Sequence, residues 1–145
     1  MPVVNLVKSI YTSTDVTALG EIASGDTVDI PSGSTLTNPT VTNYVETLFT
    51  ANTGTAITVN LANGTVQDLT LTGNATITMP TAVAGKSFII MLRQDATGSR
   101  SVTWSTVVWP SATAPTITGT ASKMDMYSFF SNGTVWYGVT VSQNY

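Results

Sequence analysis

The reactive side chains of this 145-residue sequence are few: eight carboxylates, five cations, no histidine and no cysteine. Without His or Cys the chain lacks the commonest general base, the thiol nucleophile and most transition-metal ligands. Acid–base chemistry would therefore need a pair of carboxylates flanking a scissile bond, as in glycoside hydrolysis. Glu21 and Glu46 sit in or beside a sparse N-terminal stretch, so the pair would come from the six aspartates, of which Asp68, Asp95 and Asp125 fall on the body of the chain. Nothing in their spacing makes such a pair. Asp26-Thr27-Val28-Asp29 has the outline of a calcium corner but lacks the dense run of oxygen ligands that a calcium loop requires, and turn-capping is the simpler use of these side chains. Gly54, Gly64 and Gly73 are isolated turn residues, with no glycine-rich phosphate loop. Arg93 and Arg100 flank the six-residue loop 94–99, and Asp95 is expected to pair with Arg100 across it as a structural clasp, the alternative being that either arginine contacts a partner subunit or a ligand. The sequence thus predicts no catalytic residue, no metal and no cofactor, and excludes enzyme function on inventory.

Binding chemistry leaves two possibilities. Lys8, Lys86, Arg93, Arg100 and Lys123 are scattered and the net charge is −3. Nucleic-acid binding needs clustered Lys and Arg, so none is expected. Trp104, Trp109 and Trp136, with Tyr127, Phe129, Phe130 and Tyr137, could form a platform for stacking sugar rings. Trp104 and Trp109 lie among valines, however, and a core role is the first expectation for them. No apolar run spans a bilayer, and the first residues lack the basic and apolar regions of a signal peptide, so no membrane partner is predicted.

These side chains must be positioned by strands. Charged residues reach only 9%, against about 25% in an ordinary soluble domain. Threonine, 28 residues, supplies the missing polarity and favours the pleated backbone. Turn residues recur about every ten positions, the spacing of a sandwich or barrel. Asn63-Gly64 and Asn132-Gly133 are the sharpest hairpin signals, because both residue types accept positive φ. They predict pairing of 57–61 with 65–71, and of 124–131 with 134–141. Phe88-Ile89-Ile90-Met91-Leu92 is apolar on both faces, so it is expected to be a central strand covered on one side by a second sheet and on the other by a neighbouring subunit. Large apolar residues are sparse before Tyr44. The expected organisation is an extended arm over 1–43 and an antiparallel, jelly-roll-like β-sandwich over 44–145.

Three stretches carry a resemblance: 69–78, beginning Leu69-Thr70-Leu71-Thr72-Gly73-Asn74; 94–104, Gln94-Asp95-Ala96-Thr97-Gly98-Ser99-Arg100-Ser101-Val102-Thr103-Trp104; and Trp109-Pro110. With Ala121-Ser122-Lys123-Met124-Asp125 and Trp136-Tyr137-Gly138, the region from 44 to 145 resembles a module of tailed-phage virion proteins, found in tail fibres and in small capsid-surface proteins of phages of cyanobacteria and marine bacteria. The resemblance implies a β-sandwich that trimerises, with no catalytic residues to transfer. The expected function is a trimeric capsid decoration (cement) protein on the virion surface, made in the host cytoplasm, with the major capsid protein as partner. The alternative is a tail-fibre tip or adaptor that contacts other tail proteins and the host surface. Val4, Leu6, Ile10 and Tyr11 of the arm, with Phe88, Ile90 and Leu92 of the central strand, are the expected interface residues.

Overall fold

A computed structural model describes Thr35 and residues 37–145. The greater part of the expected arm, with Val4, Leu6, Ile10 and Tyr11, lies outside the described residues. Val41–Tyr145 is a compact unit of its own. It holds nine strands: β1 (Leu48–Asn52), β2 (Ala56–Thr58), β3 (Val66–Leu71), β4 (Ala75–Thr78), β5 (Ser87–Gln94), β6 (Val102–Trp104), β7 (Val107–Val108), β8 (Met124–Ser131) and β9 (Trp136–Ser142). A 3-10 turn at Pro110–Ala112 is the only helical element among the described residues. The all-β fold that threonine and turn spacing predict is therefore present.

Strand direction differs from expectation. A six-stranded sheet, ordered β1-β3-β5-β8-β9-β7, faces a three-stranded sheet, β2-β4-β6. Five of the seven strand pairings are parallel; only β5–β8 and β8–β9 are antiparallel. Parallel neighbours need a crossover of a dozen or more residues. From β1 to β6 each crossover is itself a strand of the opposite sheet, so β1-β2, β3-β4 and β5-β6 form three stacked coils, whereas β7 and β9 are linked through β8 of their own sheet. The coils are tied at their corners: Thr53 N donates to Thr70 O at 2.9 Å and Thr76 N to Thr55 O at 3.0 Å. The corner glycines stack as well, since a Cβ on Gly73 would lie 3.1 Å from the Gly54 carbonyl oxygen.

The Asn63-Gly64 hairpin is accordingly absent. Residues 57–61 do not pair with 65–71; β2 pairs with β4, while β3 lies between β1 and β5. Gly64 is still required at its position, for a different reason. Its φ is +146°, and a Cβ there would overlap the Thr47 carbonyl. The Asn132-Gly133 hairpin does form, joining β8 to β9. Asn132 Oδ1 accepts from Thr134 N at 2.9 Å and Val135 N at 3.0 Å, so the side chain builds the turn and β9 starts two residues later than expected.

One core fills the space between the sheets. Leu69, Leu71, Ile77, Ile90, Tyr127, Phe129 and Trp136 are all at or below 1% exposure. Burial of each aliphatic side chain stabilises the fold by about 1.5–3 kcal/mol relative to exposure. Phe88 stacks on Phe129 with ring centroids 4.9 Å apart and meets Trp136 edge-on at the same distance. Trp109 fits only because residue 138 is glycine: a Cβ there would lie 2.7 Å from the Trp109 ring.

Candidate functional site

The carboxylates on the body of the chain are occupied with structure. Asp125 of β8 is 2% exposed. Its Oδ2 accepts from Thr118 N at 2.6 Å, Tyr127 Oη at 3.0 Å and Gln143 Nε2 at 3.1 Å, while Oδ1 accepts from Asn144 N at 3.0 Å. Burial on its own would raise this carboxyl, but the hydrogen bonds from Thr118, Asn144 and Gln143 outweigh it and hold the group below its ordinary range. Burial, and then the neighbouring Asp125 carboxylate, push the Tyr127 hydroxyl far above the usual tyrosine range. Asp125 stays ionised and Tyr127 neutral, so the pair ties the loop before β8 and the chain after β9 to the core.

Asp95 and Arg100 pair as the sequence predicts, with Arg100 Nη2 and Nε 2.8 and 3.1 Å from Asp95 Oδ2. Asp95 Oδ1 also accepts from Thr97 N at 3.0 Å and Gly98 N at 2.9 Å. The Arg100 hydrogen bond foremost, joined by these amides and opposed by desolvation, lowers the Asp95 carboxyl. Buried Gln94 completes the clasp, which sequence reasoning missed. Its Nε2 donates to the carbonyls of Arg100 and Thr118 at 3.0 and 2.8 Å, and its Oε1 accepts from Arg100 N at 2.9 Å. Asp68 lies on the opposite face of the large sheet, 3.7 Å from Arg93. No group of three or more metal-ligating side chains occurs among the described residues. Neither of two open surface clefts is lined by a carboxylate: one runs along Arg100, Val102 and Pro115, the other along Met79, Pro80 and Thr106.

The aromatic residues divide. Trp104, Trp109, Tyr127 and Phe129 form one packed cluster with ring centroids 5.3–6.1 Å apart, and Trp136 Nε1 donates to the Pro80 carbonyl at 2.8 Å. Five of the seven rings of the conceivable sugar platform are therefore core. Phe130 and Tyr137 are not: they are cross-strand neighbours, 52% and 44% exposed.

The central strand requires a correction. Phe88, Ile90 and Leu92 are 3%, 0% and 3% exposed and point into the chain's own core, so they cannot present an interface. The alternate residues of β5, Ile89 and Met91, point outward and are only half-buried. In β9, Trp136 and Gly138 face the core and Tyr137 and Val139 face out. Strand register brings these outward residues together. Leu48, Val66, Ile89, Ser128 and Val139 form one row across five strands. Thr50, Asp68, Met91 and Met126 form the next, and Phe130, Tyr137 and Val108 lie beside one another near the hairpin end. The result is a broad, largely apolar outer face. The sequence places apolar residues at these positions but not the sign of the alternation, because β5 is apolar at both phases.

No helix among the described residues is long and apolar enough to cross a membrane. The phage tail fibre C-terminal domain family matches the chain over residues 33–136, which takes in β1 to β8 and the first residue of β9. No curated protein and no solved structure matches it.

Proposed function

Because the chain belongs to the phage tail fibre C-terminal domain family, we propose that this bacteriophage virion protein acts in the tail, as a non-enzymatic tip or adaptor domain that engages the host surface. The observation that carries this reading is the family match across residues 33–136, which covers nearly all of the two-sheet unit, from β1 through β8. The family is one of tail fibres, so the tail position takes precedence over the capsid-decoration role and its major-capsid-protein partner. Within the tail, the chain associates with other virion proteins and with copies of itself, the trimer being the form that the resemblance implies.

The geometry supports assembly and contact in place of catalysis. Asp95 and Asp125 are held ionised by donors they cannot release without loosening the loops they anchor, so neither is a poised acid. The loops they anchor are exposed at the sheet ends, the usual place for recognition on a rigid scaffold.

Competition with infection tests this reading. Purified chain added to host cells should bind them and slow adsorption of the parent phage in a dose-dependent way. If saturating protein leaves the adsorption rate unchanged and no cell-bound protein is recovered, the tip role fails. Glycan release by the wild-type chain that disappears on Asp125→Asn or Asp95→Asn substitution would overturn the non-enzymatic part.

A further inference from the structure

We propose that Phe130 and Tyr137, side by side near the hairpin end of the six-stranded sheet, form a platform for a neutral saccharide of the host surface, with Asn132 hydrogen-bonding at its rim. The inference names the ligand class for the host contact above and rests on that reading.

Four aromatic side chains are exposed among the described residues: Tyr44, Phe130, Tyr137 and Tyr145. Tyr44 and Tyr145 lie outside the strands, whereas Phe130 and Tyr137 are directly opposite each other in β8 and β9. Strand register extends them into a row of Ser87, Phe130, Tyr137 and Val108 across β5, β8, β9 and β7. Opposed residues hold their Cβ atoms about 5 Å apart, so the two rings make one apolar strip. Strand formation does not require rings there. Threonine fills comparable exposed positions elsewhere, at 58, 76, 78 and 103.

A pyranose ring presents a face of C–H groups and a rim of hydroxyls. The face gains by leaving water for an aromatic surface, and the rim needs polar groups already held in place. Both are present here. Asn132 Nδ2 donates to Tyr137 Oη at 3.2 Å, while Asn132 Oδ1 accepts from Thr134 N and Val135 N at 2.9 and 3.0 Å. The turn thus fixes the amide, and the amide occupies a lone pair of the Tyr137 hydroxyl. The hydroxyl proton and the second Nδ2 proton are left to face a ligand. Tyrosine on a paired strand also gives contact area with little rotamer entropy to lose.

This mixture selects the ligand. A purely apolar partner would bury the Tyr137 hydroxyl and the Asn132 amide without acceptors, at a cost that hydroxyl oxygens of a sugar remove. Ser87, Val108, Phe130, Asn132 and Tyr137 carry no charge, so nothing in the row favours an acidic sugar.

Binding of the labelled full chain to host cells tests the inference. Untreated cells should bind the wild type. Cells treated with periodate, which cleaves the vicinal diols of sugars, should bind it at least about tenfold less. Phe130→Thr and Tyr137→Thr keep strand preference and should each weaken binding to untreated cells at least about tenfold. Tyr137→Phe keeps the ring, loses the hydroxyl and should weaken it about three- to tenfold. Val141→Thr, at a valine 54% exposed farther along β9, should leave binding unchanged. Circular dichroism and mass in solution should match wild type throughout. Undiminished binding to periodate-treated cells would make the partner a protein and overturn the inference. Ring variants that bind like wild type, or that dissociate an oligomer, would overturn it as well. A loss of more than about threefold between about 50 and 500 mM NaCl would overturn the neutral assignment. Each of these results leaves the tip role standing, whereas a wild-type chain that binds no untreated cells overturns the tip role and the platform together.

Discussion

Replacing Asp125 by Ala should cost far more stability than any other carboxylate substitution in the two-sheet unit. Four donors converge on this side chain, from Thr118 N, Tyr127 Oη, Gln143 Nε2 and Asn144 N. Gln143 and Asn144 are exposed and can turn to water when the acceptor is lost. Tyr127 is 0% exposed, so its hydroxyl has no such recourse, and Thr118 N points at the same buried oxygen. Each stranded donor costs about 1–3 kcal/mol, and the vacated volume adds to that, giving an expected loss of about 3–5 kcal/mol. For a unit of this size 1 kcal/mol corresponds to about 4 °C, so the melting temperature should fall by about 12–20 °C. Asp125→Asn keeps the volume and one acceptor oxygen and should lose about half as much. Calorimetry at a fixed protein concentration is the appropriate assay, because any self-association would make the midpoint concentration-dependent. The network also sets an acid dependence. The folded-state pKa of Asp125 lies below its unfolded value, so its contribution is present above the unfolded pKa, near 4, and is lost as pH falls through the lower folded value. Wild type should therefore destabilise below about pH 4 more steeply than Asp125→Asn. A melting temperature within about 3 °C of wild type for Asp125→Ala would refute the argument that the carboxylate anchors these loops.

Three further substitutions and one change of conditions give sharp expectations. Gly98→Ala should destabilise by about 2 kcal/mol or more, since φ at Gly98 is +71° and the new Cβ would lie 2.7 Å from Ala121 N; a urea midpoint equal to wild type would contradict this. Ile90→Ala removes a side chain with 0% exposure and should cost about 2–5 kcal/mol, whereas Val139→Thr on the outer face should change the fold's own stability by less than about 0.5 kcal/mol in denaturant titration of the dissociated chain. Self-association driven by apolar burial should weaken less than about threefold between about 50 and 500 mM NaCl; a steep loss in sedimentation at high salt would point to ion pairs instead.

Part of this molecule could be read directly from its residues. Threonine content and turn spacing give the all-β fold, and Asn132-Gly133 marks the one hairpin that forms. Asp95 and Arg100, bracketing a short loop, give the clasp. Other features depend on partners distant in sequence. A glycine-containing corner between two short strands has the same local chemistry whether the second strand folds back or crosses to an opposite sheet. The coils built around Gly54 and Gly73 and the hairpin suggested by Asn63-Gly64 were therefore indistinguishable without long-range pairing. The phase of β5 was equally hidden, because Phe88, Ile90 and Leu92 and the alternate Ile89 and Met91 are all apolar. What fixes it is the stacking of Phe88 on Phe129 and the space that Gly138 leaves for Trp109. The Asp125 network joins residues 118, 125, 127, 143 and 144, and no local pattern announces that convergence.

Immunogold labelling of intact virions tests the central claim most directly. Antibody raised against the purified chain should mark the tail, at or near its host-facing end, with few particles per virion. Label distributed over the head shell, or virions that carry none at all, would contradict it.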